Sequence, residues 1–120
     1  MSAVKHERAM SPEDITRLFV ERANAGDIDG LVALYEPDAV MAFPPGSTTA
    51  GHAAIRKLFE QMLAARPHFE QEEPLPTLIS GDIALTSTPS KDNTGVRVQV
   101  VRRQSDGSWL RVIDRPENRG

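Results

Sequence analysis

Four carboxylates lie within the stretch GDIDGLVALYEPDAV, residues 26–40: Asp27, Asp29, Glu36 and Asp38. Clusters of this kind bind metal ions or transfer protons in some proteins and cap helices in others. A calcium loop is excluded because Asp27 and Asp29 run directly into an apolar helical pattern, without a ligand loop and its closing glutamate. Asp27 suits the N-cap of a short helix, and the charge of Asp29 favours the same helix start. We therefore interpret these acids as structural.

The remaining residue types give little support for metal or cofactor chemistry. His6 lies near the N-terminus, His52 at a predicted helix start and His68 after a helix end, and no pair has metal-ligand spacing. The chain has no cysteine, which removes disulfides, thiolate nucleophiles and cysteine-based metal sites. No nucleotide-binding loop or nucleophile motif is present. We predict a protein that uses neither a metal nor a cofactor.

Length and charge restrict the class of protein further. The 120 residues suit one domain, and the net charge of -3 argues against nucleic-acid binding. Seven basic residues face four acidic ones from Lys91 onward, but Trp109 is the one aromatic residue among them. No apolar run approaches the roughly 20 residues of a membrane span, and the N-terminus lacks the apolar core of a secretory signal. We expect a cytoplasmic protein without membrane contact.

Apolar spacing and capping signals predict three helices in the first half of the chain. The first covers residues 11–26, the second follows Asp27 with an apolar stripe that includes Tyr35, and the third covers residues 51–66. Pro37 is expected to stop the second helix.

The second half of the chain favours strands. Predicted strands cover residues 39–43 and lie near residues 68–75, 80–88, 95–104 and 108–115, with hairpin turns at SKDN and SDG. Helices followed by a mostly antiparallel sheet predict an α+β domain over residues 11–115, between a flexible tail (1–10) and a C-terminal tail (116–120). We expect a curved sheet with the three helices on its concave face and a pocket beside the first helix.

Several motifs resemble one known superfamily. NAGDIDGLVALYEPDAV, PPGS and GHAAIRKLF are similar to the nuclear transport factor 2-like cone fold, which includes steroid delta-isomerases and SnoaL-like polyketide cyclases. VVRRQSDGSWLRVID resembles the last hairpin of an uncharacterised SnoaL-like subgroup. The resemblance spans roughly residues 11–115, and it implies the cone fold and a homodimer formed through the sheet.

The resemblance also locates the positions at which steroid isomerases carry their catalytic groups, namely an aspartate base, a tyrosine and a protonated aspartate. The tyrosine position falls on Phe19, the base position on Phe43 and the second aspartate position on Gln99. Because all three groups are absent or changed, we predict that the protein is not a steroid isomerase.

The apolar replacements suggest a hydrophobic pocket for a small hydrophobic molecule. The predicted substrate-binding residues are Phe19, Tyr35, Met41, Phe43, Val101 and Val112. Met41 and Phe43 share one face of a strand because side chains two residues apart point the same way. The alternative for these residues is ordinary core packing.

Gln99 and Asp114 are the predicted catalytic residues. The strand of Gln99 alternates Val96, Val98 and Val100 with Arg97, Gln99 and Val101. A register slip of one residue exchanges the two faces, so that either Gln99 or the valines face the pocket. By resemblance, Asp114 lies at a pocket-lining position and is a candidate proton carrier. Its alternative is a salt bridge with Arg97 or Arg111.

Three functions stay open at this point. The first is a cofactor-free isomerase, cyclase or dehydratase, in which Asp114 carries a proton and Gln99 donates a hydrogen bond to an oxyanion. The second is a non-catalytic module that binds an apolar ligand. The third is a dimerising interaction domain, which an exposed valine face on the strand of Gln99 would favour.

Overall fold

The helices precede most of the sheet along the chain, as the apolar spacing predicts. The computed structural model describes residues 6–90 and 95–116. Over those residues it contains three helices: α1 (Pro12–Asn24), α2 (Ile28–Val32) and α3 (His52–Ala64). None of these helices, within the described part of the chain, is long and apolar enough to cross a membrane.

The helix starts follow the local signals. Ser11 is extended and Pro12 occupies the first turn of α1, although the Ser11 side chain makes no capping hydrogen bond. Gly26 adopts a φ of 69°, a left-handed conformation that glycine reaches without strain, and turns the chain from α1 to α2. The Asp27 carboxylate then accepts a hydrogen bond from Gly30 N at 2.9 Å, which confirms its predicted role as N-cap.

The second helix is shorter than predicted. It ends at Val32, so Tyr35 opens a strand instead of extending the helical stripe, and Pro37 lies inside that strand. The prediction that Pro37 stops the helix was therefore wrong. Pro37 is tolerated because the register against the neighbouring strand is irregular between Tyr35 and Val40, where no regular ladder needs its missing N–H.

Six strands form one sheet over the described residues. They are β1 (Tyr35–Met41), β2 (Thr49–Ala50), β3 (Leu78–Ser80), β4 (Ile83–Pro89), β5 (Val96–Arg103) and β6 (Trp109–Arg115). Their order is β2-β1-β6-β5-β4-β3, and every neighbouring pair is antiparallel except β1 and β6. This is the expected α+β cone fold.

Several strand boundaries differ from the predictions. The strand expected at 39–43 begins four residues earlier and ends at Met41, the one expected near 80–88 forms as β4, and β2 and β3 had not been predicted. No strand forms at 68–75, a segment that precedes Pro76 and contains Pro74, because prolines remove ladder donors. The turn SDG connects β5 to β6 as predicted, whereas most of the turn SKDN lies outside the described residues.

A β-bulge in β6 sets the direction of its side chains. Val100 pairs with Ile113 and Val101 pairs with Arg111, so Val112 is one extra residue in β6. A bulge of this kind shifts the in-and-out alternation by one position. As a result Arg111 and Asp114, three residues apart, are both buried.

The core lies between the sheet and the helices, and it includes the nearly fully buried side chains of Ile15, Leu31, Tyr35, Ile55 and Val101. The N-terminal segment also joins the fold. Residues 6–10 were expected in a flexible tail, but Ala9 is buried and its carbonyl accepts a hydrogen bond from Trp109 N at 2.8 Å. Residues 1–5 and 117–120 lie outside the described residues.

Candidate functional site

A cavity of about 260 Å³ lies between α1 and the inner face of the sheet. Its apolar lining comes from α1, α3 and loop segments, and includes Phe19, Val20, Phe43, Met62 and Phe69. Its polar lining includes Gln99, Arg111 and Asp114, from the adjacent strands β5 and β6. The cavity therefore combines an aromatic wall with one group of polar side chains.

Asp114 is the most firmly held carboxylate at this cavity. Only 2% of its surface is exposed. Its Oδ2 accepts a hydrogen bond from the Tyr35 hydroxyl at 2.6 Å, and its Oδ1 accepts one from Gln99 Nε2 at 3.1 Å. Two neutral donors thus hold the two carboxylate oxygens in a fixed orientation.

The network fixes Gln99 as well. The Thr86 hydroxyl donates to Gln99 Oε1 at 2.9 Å, while the Gln99 amide nitrogen donates to Asp114. With Oε1 accepting from the Thr86 hydroxyl, the amide nitrogen is the Gln99 atom that points toward Asp114. Of the two faces left open by the sequence, Gln99 takes the inner one, and Val96, Val98 and Val100 take the outer one.

Arg111 supplies the positive charge next to Asp114 and Tyr35. Its Nη1 donates to the Tyr35 hydroxyl at 3.2 Å and lies 3.6 Å from Asp114 Oδ2. The guanidinium also stacks 5.2 Å from the centre of the Phe19 ring. Burial by itself would lower the pKa of Arg111, but the neighbouring Tyr35 and Asp114 outweigh it, so that the net pKa is raised and the side chain stays charged.

One nitrogen of this guanidinium is left without a partner. Arg111 Nε is buried, and among the described residues it is the one buried side-chain nitrogen or oxygen with no hydrogen-bond partner. Buried N–H groups of this kind are rare, since leaving one unpaired costs about 1–3 kcal/mol.

Tyr35 connects Arg111 to Asp114. It is the one tyrosine of the chain, and 1% of its surface is exposed. Burial, followed by the negative charge of Asp114, raises the pKa of Tyr35 well above its usual value. The hydroxyl therefore keeps its proton and acts as a hydrogen-bond donor to Asp114.

The structure separates the predicted site residues into three groups. Asp114, Gln99, Phe19 and Phe43 line the cavity; Tyr35 contacts Asp114 from behind; Met41, Val101 and Val112 do not line the cavity. Met41 and Val101 are fully packed in the core, and Val112 is the extra residue of the bulge, half-buried. The three positions carried over from steroid isomerases all meet at this one cavity, none with an ionisable side chain.

Sequence reasoning missed the importance of Arg111 and Thr86. Arg111 was named only as a possible ion-pair partner of Asp114, a pair that the structure contains, whereas Arg97 pairs with Glu72. In a regular strand, residues 111 and 114 would point to opposite faces, so the pattern hid the cluster. A charged residue between the apolar Leu110 and Val112 was the available signal.

The acids of residues 26–40 contribute nothing to this cavity. Asp27 caps α2, and Asp29 and Glu36 form ion pairs with arginine side chains. Their interpretation as structural residues agrees with these contacts.

Together these features define a class: a cone-shaped α+β domain whose sheet and helices enclose a cavity with one buried, hydrogen-bonded carboxylate. The family model described as SnoaL-like domain matches residues 16–114. The chain therefore belongs to the SnoaL-like domain family.

Solved structures show the same fold at low sequence identity. A candidate calcium/calmodulin-dependent protein kinase type II association domain from Thiobacillus denitrificans has 19% identity and a TM-score of 0.73, over 92% of this chain and 96% of that chain. A ketosteroid isomerase-like protein from Erwinia carotovora has 17% identity and a TM-score of 0.66, over 85% and 88%. A candidate dehydratase of the NTF2-like family from Streptomyces avermitilis has 17% identity and a TM-score of 0.66, over 86% and 90%. At these identities the likeness establishes the fold and not the activity.

Proposed function

We propose that this protein binds a compact, mainly apolar molecule in the cavity and transfers a proton on it without a cofactor, as an isomerase, cyclase or dehydratase does. The observation that carries the proposal is the position of Asp114, a buried carboxylate held by two donors at the surface of an aromatic cavity. A charged group held in an apolar cleft is a frequent mark of acid–base catalysis.

The size of the cavity restricts the ligand. About 260 Å³ lies below the range of roughly 300–1,000 Å³ that usually encloses drug-sized ligands. Phe19, Phe43 and Phe69 provide flat apolar surfaces suited to a ring. We therefore favour a molecule with one ring over a steroid.

Asp114 is the proposed base. It would take a proton from a carbon next to a carbonyl group, and the C–H electron pair would move into an enolate. Where a C=C bond is conjugated with the enolate, the far carbon of that bond takes the proton back, the enolate electron pair moves through the C=C bond to form the new C–H bond, and the shifted double bond gives an isomer. Transfer of the proton to a departing β-hydroxyl group gives water and an unsaturated product.

Gln99 and Tyr35 are positioning residues in this scheme. Each of them donates a hydrogen bond to Asp114. These bonds favour a role in orienting the carboxylate over the oxyanion-binding role that was expected for Gln99 from the sequence. The names of two structural neighbours, ketosteroid isomerase-like protein and candidate dehydratase, describe reaction types of the proposed kind.

Deuterium exchange tests the proposal without knowledge of the natural substrate. Cyclohexanone fits the size class and has exchangeable hydrogens beside its carbonyl group. The protein is incubated with cyclohexanone in heavy water, and NMR follows the loss of those hydrogens. We expect the wild type to accelerate exchange over buffer, and Asp114→Asn to lower the protein-dependent rate by about 100-fold or more.

The matched control is Asp38→Asn, the same change at an exposed carboxylate on β1, which should keep the full rate. Unchanged exchange in Asp114→Asn would overturn Asp114 as the base. Saturable binding of cyclohexanone without any accelerated exchange would instead favour the alternative function, a non-catalytic binding module for a small molecule.

The outer face of the sheet supports a second proposal, a homodimer. Cross-strand pairing aligns five apolar residues on this face, one from each strand from β3 to β1: Leu78, Leu85, Val100, Ile113 and Val40. Three of them are exposed, Ile113 at 51%. Such a continuous apolar row is typical of an interface, and its regular strands suit a second copy of the same sheet.

Light scattering after size exclusion tests this interface. We expect a dimer for the wild type and a monomer for Ile113→Lys, because a lysine at the centre of the row would be buried without a partner charge. Lys57→Ala, an exposed change on α3, should leave the dimer intact. A monomeric wild type over the whole concentration range would contradict the proposal.

A further inference from the structure

We infer that the Thr88 hydroxyl binds the ligand at the end of the cavity away from Asp114, and that the ligand therefore carries a hydrogen-bonding oxygen on the side of its ring opposite the carbonyl group. This inference deepens the proposed function and rests on it for the use of the cavity as the site. It makes Thr88 a residue that selects the ligand, without a part in proton transfer.

The first support is the state of the Thr88 hydroxyl. Thr88 lies on β4, has 4% of its surface exposed and lines the cavity. Its side chain makes no hydrogen bond to another described residue. Within the described part of the chain, Arg111 Nε is the one side-chain nitrogen or oxygen that is both sealed and unpartnered. The Thr88 oxygen is therefore accessible, and the cavity is the space that it borders.

The second support is the contrast with Thr86 on the same strand. Side chains two residues apart point the same way, and both threonines are buried on the inner face of the sheet. The Thr86 hydroxyl donates to Gln99 Oε1 at 2.9 Å and so belongs to the network that holds Asp114. The Thr88 hydroxyl has no part in that network. A hydroxyl that is removed from water without a partner is unfavourable, and a ligand oxygen in the cavity would supply the partner.

The third support is the distance between the two ends of the cavity. Thr86 pairs with Gln99 and Gln99 with Asp114, so these residues form one row across three strands. Thr88 lies two residues further along β4, opposite Arg97. Strand spacing and residue rise place the Cα atoms of Thr88 and Asp114 about 12 Å apart. A six-membered ring with an oxygen opposite its carbonyl group, together with one contact at each end, has a comparable length.

The surroundings of Thr88 are also polar, unlike the aromatic wall of the cavity. Arg97 faces Thr88 across the two strands, and it forms an ion pair with Glu72. All three residues line the cavity. This end of the cavity therefore suits an oxygen substituent better than an alkyl group.

The test compares 4-hydroxycyclohexanone with 4-methylcyclohexanone, which has nearly the same shape but no hydrogen-bonding group on that carbon. Dissociation constants of both ketones are measured by NMR titration for the wild type and for Thr88→Val, which keeps the shape of the side chain and removes the hydroxyl. The preference for the hydroxy ketone should be about 10-fold larger in the wild type than in the variant, as one buried hydrogen bond provides. Comparing the two preferences cancels the difference in hydration between the ketones.

Thr88→Ala removes the same hydroxyl and should lose the preference as Thr88→Val does, whereas Thr88→Ser keeps a hydroxyl and should retain most of it. Thr48→Val is the control, because it makes the same change at an exposed position outside the cavity. An equal preference in the wild type, Thr88→Val and Thr88→Ala would overturn the inference. Failure of both ketones to bind the wild type would overturn it as well.

The outcomes separate this inference from the proposed function. A preference for the hydroxy ketone that depends on Thr88, without accelerated deuterium exchange, supports the contact at Thr88 and rejects proton transfer by Asp114. Exchange that depends on Asp114, with a preference unaffected by Thr88→Val, rejects the contact and leaves the proton transfer in place.

Discussion

Two buried arginines in this protein differ in what surrounds them. Arg22 on α1 is 7% exposed and donates to two backbone carbonyls, to Gly30 O at 2.7 Å and to Glu7 O. Arg111 on β6 is 4% exposed and contacts a phenol and a carboxylate instead. Burial lowers the pKa of Arg22, whereas the neighbours of Arg111 raise its pKa despite burial.

The difference teaches how to distinguish a structural charge from a functional one in this fold. The packing around Arg22 is tight, since a Cβ added at Gly30 would lie 2.8 Å from Arg22 Cδ. Through its bonds to Gly30 O and Glu7 O, the Arg22 side chain connects α1 to α2 and to the N-terminal residues. Arg111 in contrast lines a cavity, and its side chain contacts Tyr35 and Asp114 there. The buried charge of Arg22 is satisfied by the backbone and serves the fold, whereas the buried charge of Arg111 lies beside a carboxylate at the proposed site.

The largest effect is expected from Arg111→Met, which leaves the Asp114 carboxylate buried without its cation. We expect the free energy of unfolding to fall by about 3–5 kcal/mol. The double variant Arg111→Met/Asp114→Asn removes both charges and should regain at least about 1 kcal/mol of that loss. Urea denaturation followed by the fluorescence of Trp109, the single tryptophan, measures both values. Strict additivity of the two changes would show that the charges do not interact.

Arg22→Met should have the next largest effect, because it leaves two backbone carbonyls without their donor. We expect a loss of about 2–4 kcal/mol in the free energy of unfolding. Arg17→Met, on the same helix but half exposed, is the control and should leave the melting temperature close to that of the wild type. Where Arg22→Met is still folded, it should bind cyclohexanone like the wild type. Weakened ligand binding in the folded variant would remove the distinction between the two arginines.

A smaller effect is expected for the free energy of unfolding at alkaline pH, because the buried Tyr35 hydroxyl contacts both Arg111 and Asp114. The folded-state pKa of Tyr35 is raised, so the unfolded chain loses this proton first. The contribution of Tyr35 to the free energy of unfolding is therefore complete below a pH of about 10. It is lost as the pH rises through the folded-state pKa of Tyr35, by up to about 1.4 kcal/mol per pH unit.

Ultraviolet absorbance of the phenolate reports Tyr35 alone, since the chain has one tyrosine. Tyr35→Phe should lack this part of the alkaline slope, whereas Arg22→Met should retain it. A phenolate titration of the folded wild type at the usual pH for tyrosine would contradict the burial of this side chain.

The smallest effect concerns the cap near Arg22. Asp27→Ala removes the acceptor for Gly30 N and the partner of His6, whose Nε2 lies 2.8 Å from the carboxylate. We expect a loss of about 1 kcal/mol in the free energy of unfolding. Asp27→Asn keeps a side-chain acceptor at the cap and should recover most of it. The two variants should be equal only if the cap contributes nothing.

Local rules in the sequence were sufficient for much of the fold. The cap at Asp27, the apolar spacing of α1 and α3, and the turn SDG depend on neighbouring residues, so each could be predicted from its own segment. The resemblance then placed Phe19, Phe43 and Gln99 at one cavity. Asp114 was named as a site carboxylate on the same basis.

The tertiary structure decided the features that depend on pairing between distant strands. Tyr35 lies in a strand and not in a helix because β1 pairs with β6, a partner about 75 residues later in the chain. The register that buries Gln99 depends on β4 and β6, since either face of its own strand was compatible with the sequence.

The sequence by itself determined an α+β domain of the SnoaL-like type with structural acids near its start, and it left Phe19 and Phe43 open between the wall of a pocket and ordinary core packing. Only the tertiary structure decided that Arg111 belongs to that pocket. The physical reason is the bulge at Val112: strand periodicity assigns residues 111 and 114 to opposite faces, and one extra residue in the ladder against β5 turns both toward the interior.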